Sequence, residues 1–147
     1  MHAIDGRASE VNGTVDVDLV GSQVRGVSAG RVEVPVRSLR SGNPLEDAEL
    51  QRRVDARRFP TIVGEVRTAT PVDGEAGVFR VDGDLTFHGV TQAITGELRI
   101  TSDGDRVRIE GEHVFDVRQF GIKPPRILML RVEPDVRVTI KLVADRA

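Results

Sequence analysis

From Phe79 to Ile100 the chain alternates between apolar and polar residues. Phe79, Val81, Leu85 and Phe87 are separated by Arg80, Asp82, Asp84 and Thr86; after His88-Gly89, Val90, Ile94, Leu98 and Ile100 are set against Thr91, Thr95, Glu97 and Arg99. A helix would spread these apolar residues round its circumference. A period of two collects them on one face of a strand and leaves the other face wet. His88-Gly89 falls where the two arms must turn, so the stretch reads as one long β-hairpin.

Within that pattern glycine recurs on the dry face, as Val81-x-Gly83-x-Leu85 and Ile94-x-Gly96-x-Leu98. The same form appears in Val11-x-Gly13-x-Val15, Ile62-x-Gly64-x-Val66 and Ile109-x-Gly111-x-His113. A glycine inside a strand costs roughly 0.5–1 kcal/mol relative to alanine. It marks a bend, a bulge or a close approach to the backbone. Repeated on one face, it predicts strongly coiled strands closing round an interior with room in it.

The rest of the chain continues the β pattern, with one interruption. Val15, Val17 and Leu19 alternate with Asp16 and Asp18, and Gly21 to Ser28 reads as a polar connection. Val32, Val34 and Val36 then alternate with Arg31, Glu33 and Arg37, and Pro35, which removes a ladder donor, places that strand at an edge or a bulge. Asn43 as N-cap, Pro44 at the first helical position and Glu46 at the capping-box position predict a short helix over about 44–56. Leu50 and Val54 lie on its apolar face, Glu49 and Arg53 are spaced to pair, and Pro60 ends it. Strands resume at Thr61–Thr70, Arg106–Val117 and Pro134–Ala144; His2 to Gly6 is too short to assign. Ile127 to Leu130 is an apolar run without alternation, read as a buried connector or as a flap over a barrel mouth. Seven fair strands with turns between them suit a sandwich or an up-and-down barrel, and the interior glycines favour the barrel.

Composition narrows the function. The chain has 147 residues, 39% of them apolar, enough for one domain with a sizeable core. With five Phe and neither Trp nor Tyr, that core is built from Val, Ile and Leu. A net charge of −2 without a basic block gives no support for nucleic-acid binding. The absence of cysteine excludes disulfides and thiolate chemistry. No apolar run is long enough to cross a bilayer. No leader pattern precedes the first strand, so the chain as it stands reads as cytoplasmic, or as periplasmic or secreted if a leader has been removed.

Three stretches resemble the YceI-like family. They are the hairpin GDLTFHGVTQAITGEL, the upstream DARRFPTIVGEV and the late Phe120-Gly121-Ile122. The resemblance implies a single domain over 1–147 with an all-β fold, an antiparallel up-and-down lipocalin-like barrel of about seven to eight strands with one short helix. It also implies an elongated apolar cavity of the kind associated with isoprenoid chains, isoprenoid quinones and related amphiphiles. Many members begin with an additional strand. If it is missing here, an unpaired sheet edge invites a homodimer.

Sites of chemistry are few. His88 at the hairpin tip reads as a turn residue. His113, on the dry face between Ile109 and Phe115, is either a satisfied core histidine or a polar contact to a ligand head. His2, His88 and His113 lack the clustering a metal needs. No nucleophile elbow, phosphate-cradling loop or paired catalytic carboxylates are present. The leading reading is a non-enzymatic carrier, needing no cofactor, that buries an apolar chain-like small molecule such as an isoprenoid or fatty amphiphile. Its wall is expected from Val15, Val34, Ile62, Val66, Val81, Leu85, Ile94, Leu98, Ile109, His113, Phe115, Leu128, Val136, Val138 and Ile140. The alternatives are a solid β domain acting through its surface in an interaction or stress role, and an isomerase-type enzyme using His113.

Overall fold

The structure is a computed structural model. It describes residues 7–8, 10–21, 23–40, 42–122, 126–127, 130–131 and 135–145; for 7–8, 126–127, 130–131 and 135–138 the backbone alone is described. Seven strands form one antiparallel sheet: β2 (Asn12–Val20), β3 (Gln23–Pro35), β5 (Thr61–Pro71), β6 (Val78–Phe87), β7 (Val90–Asp103), β8 (Arg106–Asp116) and β11 (Asp135–Asp145). Each pairs with the next in this order, so the connectivity is up-and-down. Two short pairs lie outside the sheet, β1 (Arg7–Ala8) with β4 (Leu39–Arg40) and β9 (Arg126–Ile127) with β10 (Leu130–Arg131). Val15 and Val17 of β2 pack in the same apolar cluster as Ile109 of β8 and Leu142 of β11. The two ends of the sheet therefore share one core, and the sheet curls into a nearly closed barrel.

The central hairpin turns where the alternation breaks. His88 has φ 55° and Gly89 φ 72°, the pair of left-handed residues that a two-residue turn with the strands' own twist requires. The one α-helix among the described residues, α1 (Pro44–Arg53), begins as its punctuation requires, with the Leu45 amide donating to Asn43 Oδ1 at 3.0 Å. It ends sooner than expected. Val54 caps it and Asp55 turns left-handed at φ 50°, so Pro60 stops nothing. Val54 is fully buried, Leu50 packs beside it, and Glu49 accepts from Arg53 at 2.7 Å. The helix thus plugs one end of the barrel.

Three expectations are corrected. Gly21 to Ser28 is mostly strand: β3 starts at Gln23, and Val24 is buried. Two irregularities in the β2–β3 register, at Asp16/Val17 and Asp18/Leu19, break the period of two and hide the strand. The same shift leaves Leu19, expected on the dry face, 41% exposed. The strand carrying Pro35 is neither an edge nor bulged at that point. β3 lies between β2 and β5, and Pro35 is its last residue, leading into a 3-10 turn at Val36–Ser38.

Candidate functional site

The barrel is packed at both ends and lined by glycine between them. One cluster gathers Val24, Phe79, Val81, Ile100, Val107 and Ile109, with Val15, Val66 and Leu98 against it. The other gathers Val36, Val54, Val117, Phe120 and Ile122, with Ile62, Leu85, Phe87, Val90 and Phe115 against it. Four strands show the same order. On β6, Phe79 and Val81 belong to the first cluster, Leu85 and Phe87 to the second, and Gly83 stands between. On β5 the sequence is Ile62, Gly64, Val66; on β8 it is Ile109, Gly111, His113, Phe115; on β7 it is Val90, Gln92, Ile94, Gly96, Leu98.

With Gly13 on β2 and Gly30 on β3, six successive strands each place a glycine at this level. The register interlocks them with bulky partners. Val15 faces Gly30, Gly30 faces Val66, Val66 faces Gly83, Gly83 faces Ile94, and Gly111 faces Leu98. The belt does two jobs. At Gly13 and Gly83 a Cβ would run into the neighbouring strand's carbonyl, of Arg31 and Glu65 respectively, so these glycines permit the tight curl. At Gly64 and Gly96 a Cβ would meet nothing nearer than a Leu85 methyl at 4.0 Å and His113 Nδ1 at 3.5 Å. These two leave room. The coiling and the interior room expected of the repeated glycines thus fall to different positions.

Of the residues expected in the wall, Val81 and Ile109 are buried in the first cluster. Val15, Val66 and Leu98 flank that cluster, and Ile62, Leu85 and Phe115 flank the other. Val34, Ile94, His113 and Ile140 are half-buried and, among the described residues, belong to neither cluster. Val136 and Val138 pair with Phe115 and His113 in the β11–β8 ladder, but their side chains lie outside the described residues, as does Leu128. Two wall residues escaped the sequence reading. Val32 shares the phase of Val34, and Gln92 the phase of Val90 and Ile94. Gln92 is a polar residue in an apolar row, and its Nε2 donates to the Gln119 carbonyl at 2.9 Å.

The three distinctive sequence stretches meet at the helix end. His88 Nδ1–H donates to the Phe120 carbonyl at 3.0 Å, which fixes the tautomer. The Phe59 ring stands edge-on to His88 at 5.0 Å and lies so close over Gly89 that a Cβ there would sit 2.6 Å from it. Phe120, buried, is held edge-to-face between Phe87 and Phe115. Together these contacts clasp the barrel end. His88 is a turn residue, as expected.

Charges stay outside. Asp82 accepts from Thr95 at 2.6 Å and Thr68 at 3.2 Å, which holds its carboxyl below the ordinary value. Arg31 bridges Glu33 and Glu65, and Arg67 lies 3.5 Å from Asp84. Among the described residues no group of three His, Asp or Glu side chains is placed to hold a metal, and no helix is long and apolar enough to cross a membrane.

An up-and-down antiparallel barrel, plugged at its ends and lined by aliphatic side chains and glycine, defines the class: a lipocalin-like barrel. A model of the YceI-like domain matches residues 1–144, and the chain belongs to that family. Solved structures agree on the fold. The Campylobacter jejuni YCEI protein is 16% identical with a TM-score of 0.80, over 100% of this chain and 87% of that one. Burkholderia cenocepacia BcnA is 17% identical with a TM-score of 0.79, over 95% and 86%. A polyisoprenoid binding domain from Saccharophagus degradans, implicated in plant cell wall breakdown, is more distant at 14% identity and a TM-score of 0.59, over 80% and 68%. No curated protein matches the chain.

Proposed function

We propose that this barrel is a binding protein that takes up a single linear apolar molecule, of isoprenoid or fatty type, along the glycine belt. One observation carries the reading: the inward Val32 and Ile94, level with the glycine belt, are half-buried and, among the described residues, join neither packed cluster. A barrel built as a solid core would draw its most central side chains into one continuous cluster; here two separate clusters form, and Val32 and Ile94 stand between them. The wall chemistry suits an apolar chain. Between Phe79 and Phe115 the polar side chains facing inward at this level are Gln92 and His113, and no charge joins them. Each methylene withdrawn from water contributes ~0.8 kcal/mol, so a chain of a dozen carbons offsets the several kcal/mol of lost ligand freedom. The similarity to a domain named for polyisoprenoid binding lends further support.

The test is mass spectrometry of an organic extract of protein purified without detergent, together with titration by farnesol. A co-purifying apolar chain, or saturable uptake at one per barrel, is expected. A clean extract with no saturable uptake would contradict the proposal.

A further inference from the structure

Strands β7 and β8 part company at the glycine belt. Their ladder joins Leu98–Asp103 to Arg106–Gly111 and stops, although β7 reaches back to Val90 and β8 runs on to Asp116. Beyond that point β7 keeps its bonds to β6, and β8 keeps its bonds to β11. Each strand then carries one row of amide and carbonyl groups that, among the described residues, the other does not take up. Such a row persists only where side chains, water or a polar ligand reach it.

The seam opens beside Gly96, and the next inward residue on β8 is His113. Its Nδ1 lies 3.5 Å from where a Gly96 Cβ would stand, and its ring leans on Phe115 with centroids 4.6 Å apart. His88 spends its Nδ1–H on a carbonyl. The His113 imidazole has no hydrogen-bond partner among the described residues, and neither ring nitrogen is a sealed, unsatisfied atom. A polar ring set in an apolar wall, with no hydrogen-bond partner among the described residues, is the sort of group that orients a ligand.

We propose that the seam at Gly96 and His113 seats the polar head of the bound chain, with the imidazole as its hydrogen-bond partner. This rests on the binding function proposed above. The head that fits is small, uncharged and oxygen-bearing, a hydroxyl or a carbonyl. Neutral imidazole offers one donor and one acceptor, and no charged side chain faces inward on β6, β7 or β8 near it.

The experiment compares farnesol with farnesane, the same carbon skeleton without the hydroxyl, by displacement of the neutral fluorophore N-phenyl-1-naphthylamine from the full chain. Farnesol should bind about three- to tenfold more tightly, the range expected of one net hydrogen bond. His113→Leu should erase that preference by weakening farnesol alone, and His113→Gln should restore most of it. In the unmodified protein, nitrogen-15 resonances of the His113 ring should move with farnesol and stay still with farnesane, a readout that does not depend on any variant folding. Equal affinity for the two ligands, equal weakening of both by His113→Leu, or a silent His113 ring would each overturn the seam assignment while leaving the binding function standing. Uptake of neither ligand would remove the binding function and this site with it.

Discussion

Gly83→Ala and Gly96→Ala put the same methyl group on the same inner face, with opposite expected results. At Gly83 the methyl meets the Glu65 carbonyl, part of a neighbouring strand that cannot swing aside. The loss should be about 1–3 kcal/mol, as for other overpacked sites. At Gly96 the one near neighbour is His113 Nδ1 at ordinary contact distance, and alanine removes the glycine's backbone freedom in the unfolded chain. That variant should be neutral or stabilised by up to about 1 kcal/mol. Urea unfolding separates the two, and equal losses would contradict the division of the belt into curling and space-making positions. The bulkier Gly96→Phe should keep the fold and lose uptake of a long chain. At the clasp, Gly89→Ala suffers twice: φ is 72°, and the Phe59 ring occupies the place of the new methyl. A loss of about 2 kcal/mol or more is expected from backbone strain and clash together, read from the same unfolding midpoints. No loss would mean that the clasp is not tight.

Among the elements, α1 carries the clearest pH signature. Hydrogen bonds from Arg53 and then Arg52 hold the Glu49 carboxyl below its ordinary value of 4.5. A carboxyl depressed on folding contributes stability that is full above the unfolded value and is lost as pH falls through the folded one. Glu49→Gln should therefore match the unmodified protein most closely in acid and fall behind it as pH rises to 4.5, with a constant gap above. Unfolding midpoints at several pH values check this, and a pH-independent gap would contradict it. Elements also differ in how openly the sequence announces them. The β6–β7 hairpin was legible because its outer face is charged and its inner face aliphatic over two long arms. The helix was legible from Asn43-Pro44, but its end was not, because Asp55 turns left-handed without the glycine that usually signals it. The start of β3 was hidden by the irregular register against β2. The seam was hidden for a different reason: β7 and β8 alternate identically whether or not they are bonded to each other. Of the wall, the aliphatic rows could be read from their period. Gln92 could not, since what admits it is a carbonyl 27 residues away.

At the scale of the whole molecule, two features remain to be tested together. Among the described ladders β2 and β11 have one neighbour each, and β2 exposes Leu19 and Val20 beside its free edge. Unpaired edges with exposed aliphatic residues favour pairing with a second copy, so a homodimer is expected in sedimentation velocity at micromolar concentration; a monomer throughout that range would contradict it. The central claim is that the glycine-lined middle of the barrel, between the two packed clusters, is where a ligand lies. Methyl-resolved NMR tests it most directly, because the wall is made of Val, Ile and Leu. On titration with farnesol, the methyl signals of Val32, Val34 and Ile94 should shift and saturate at one equivalent. Those of Val54, fully buried under the helix, and Val143, on the outer face, should stay in place. Shifts confined to exposed methyls such as Val20 and Val143, or none that saturate, would contradict the account.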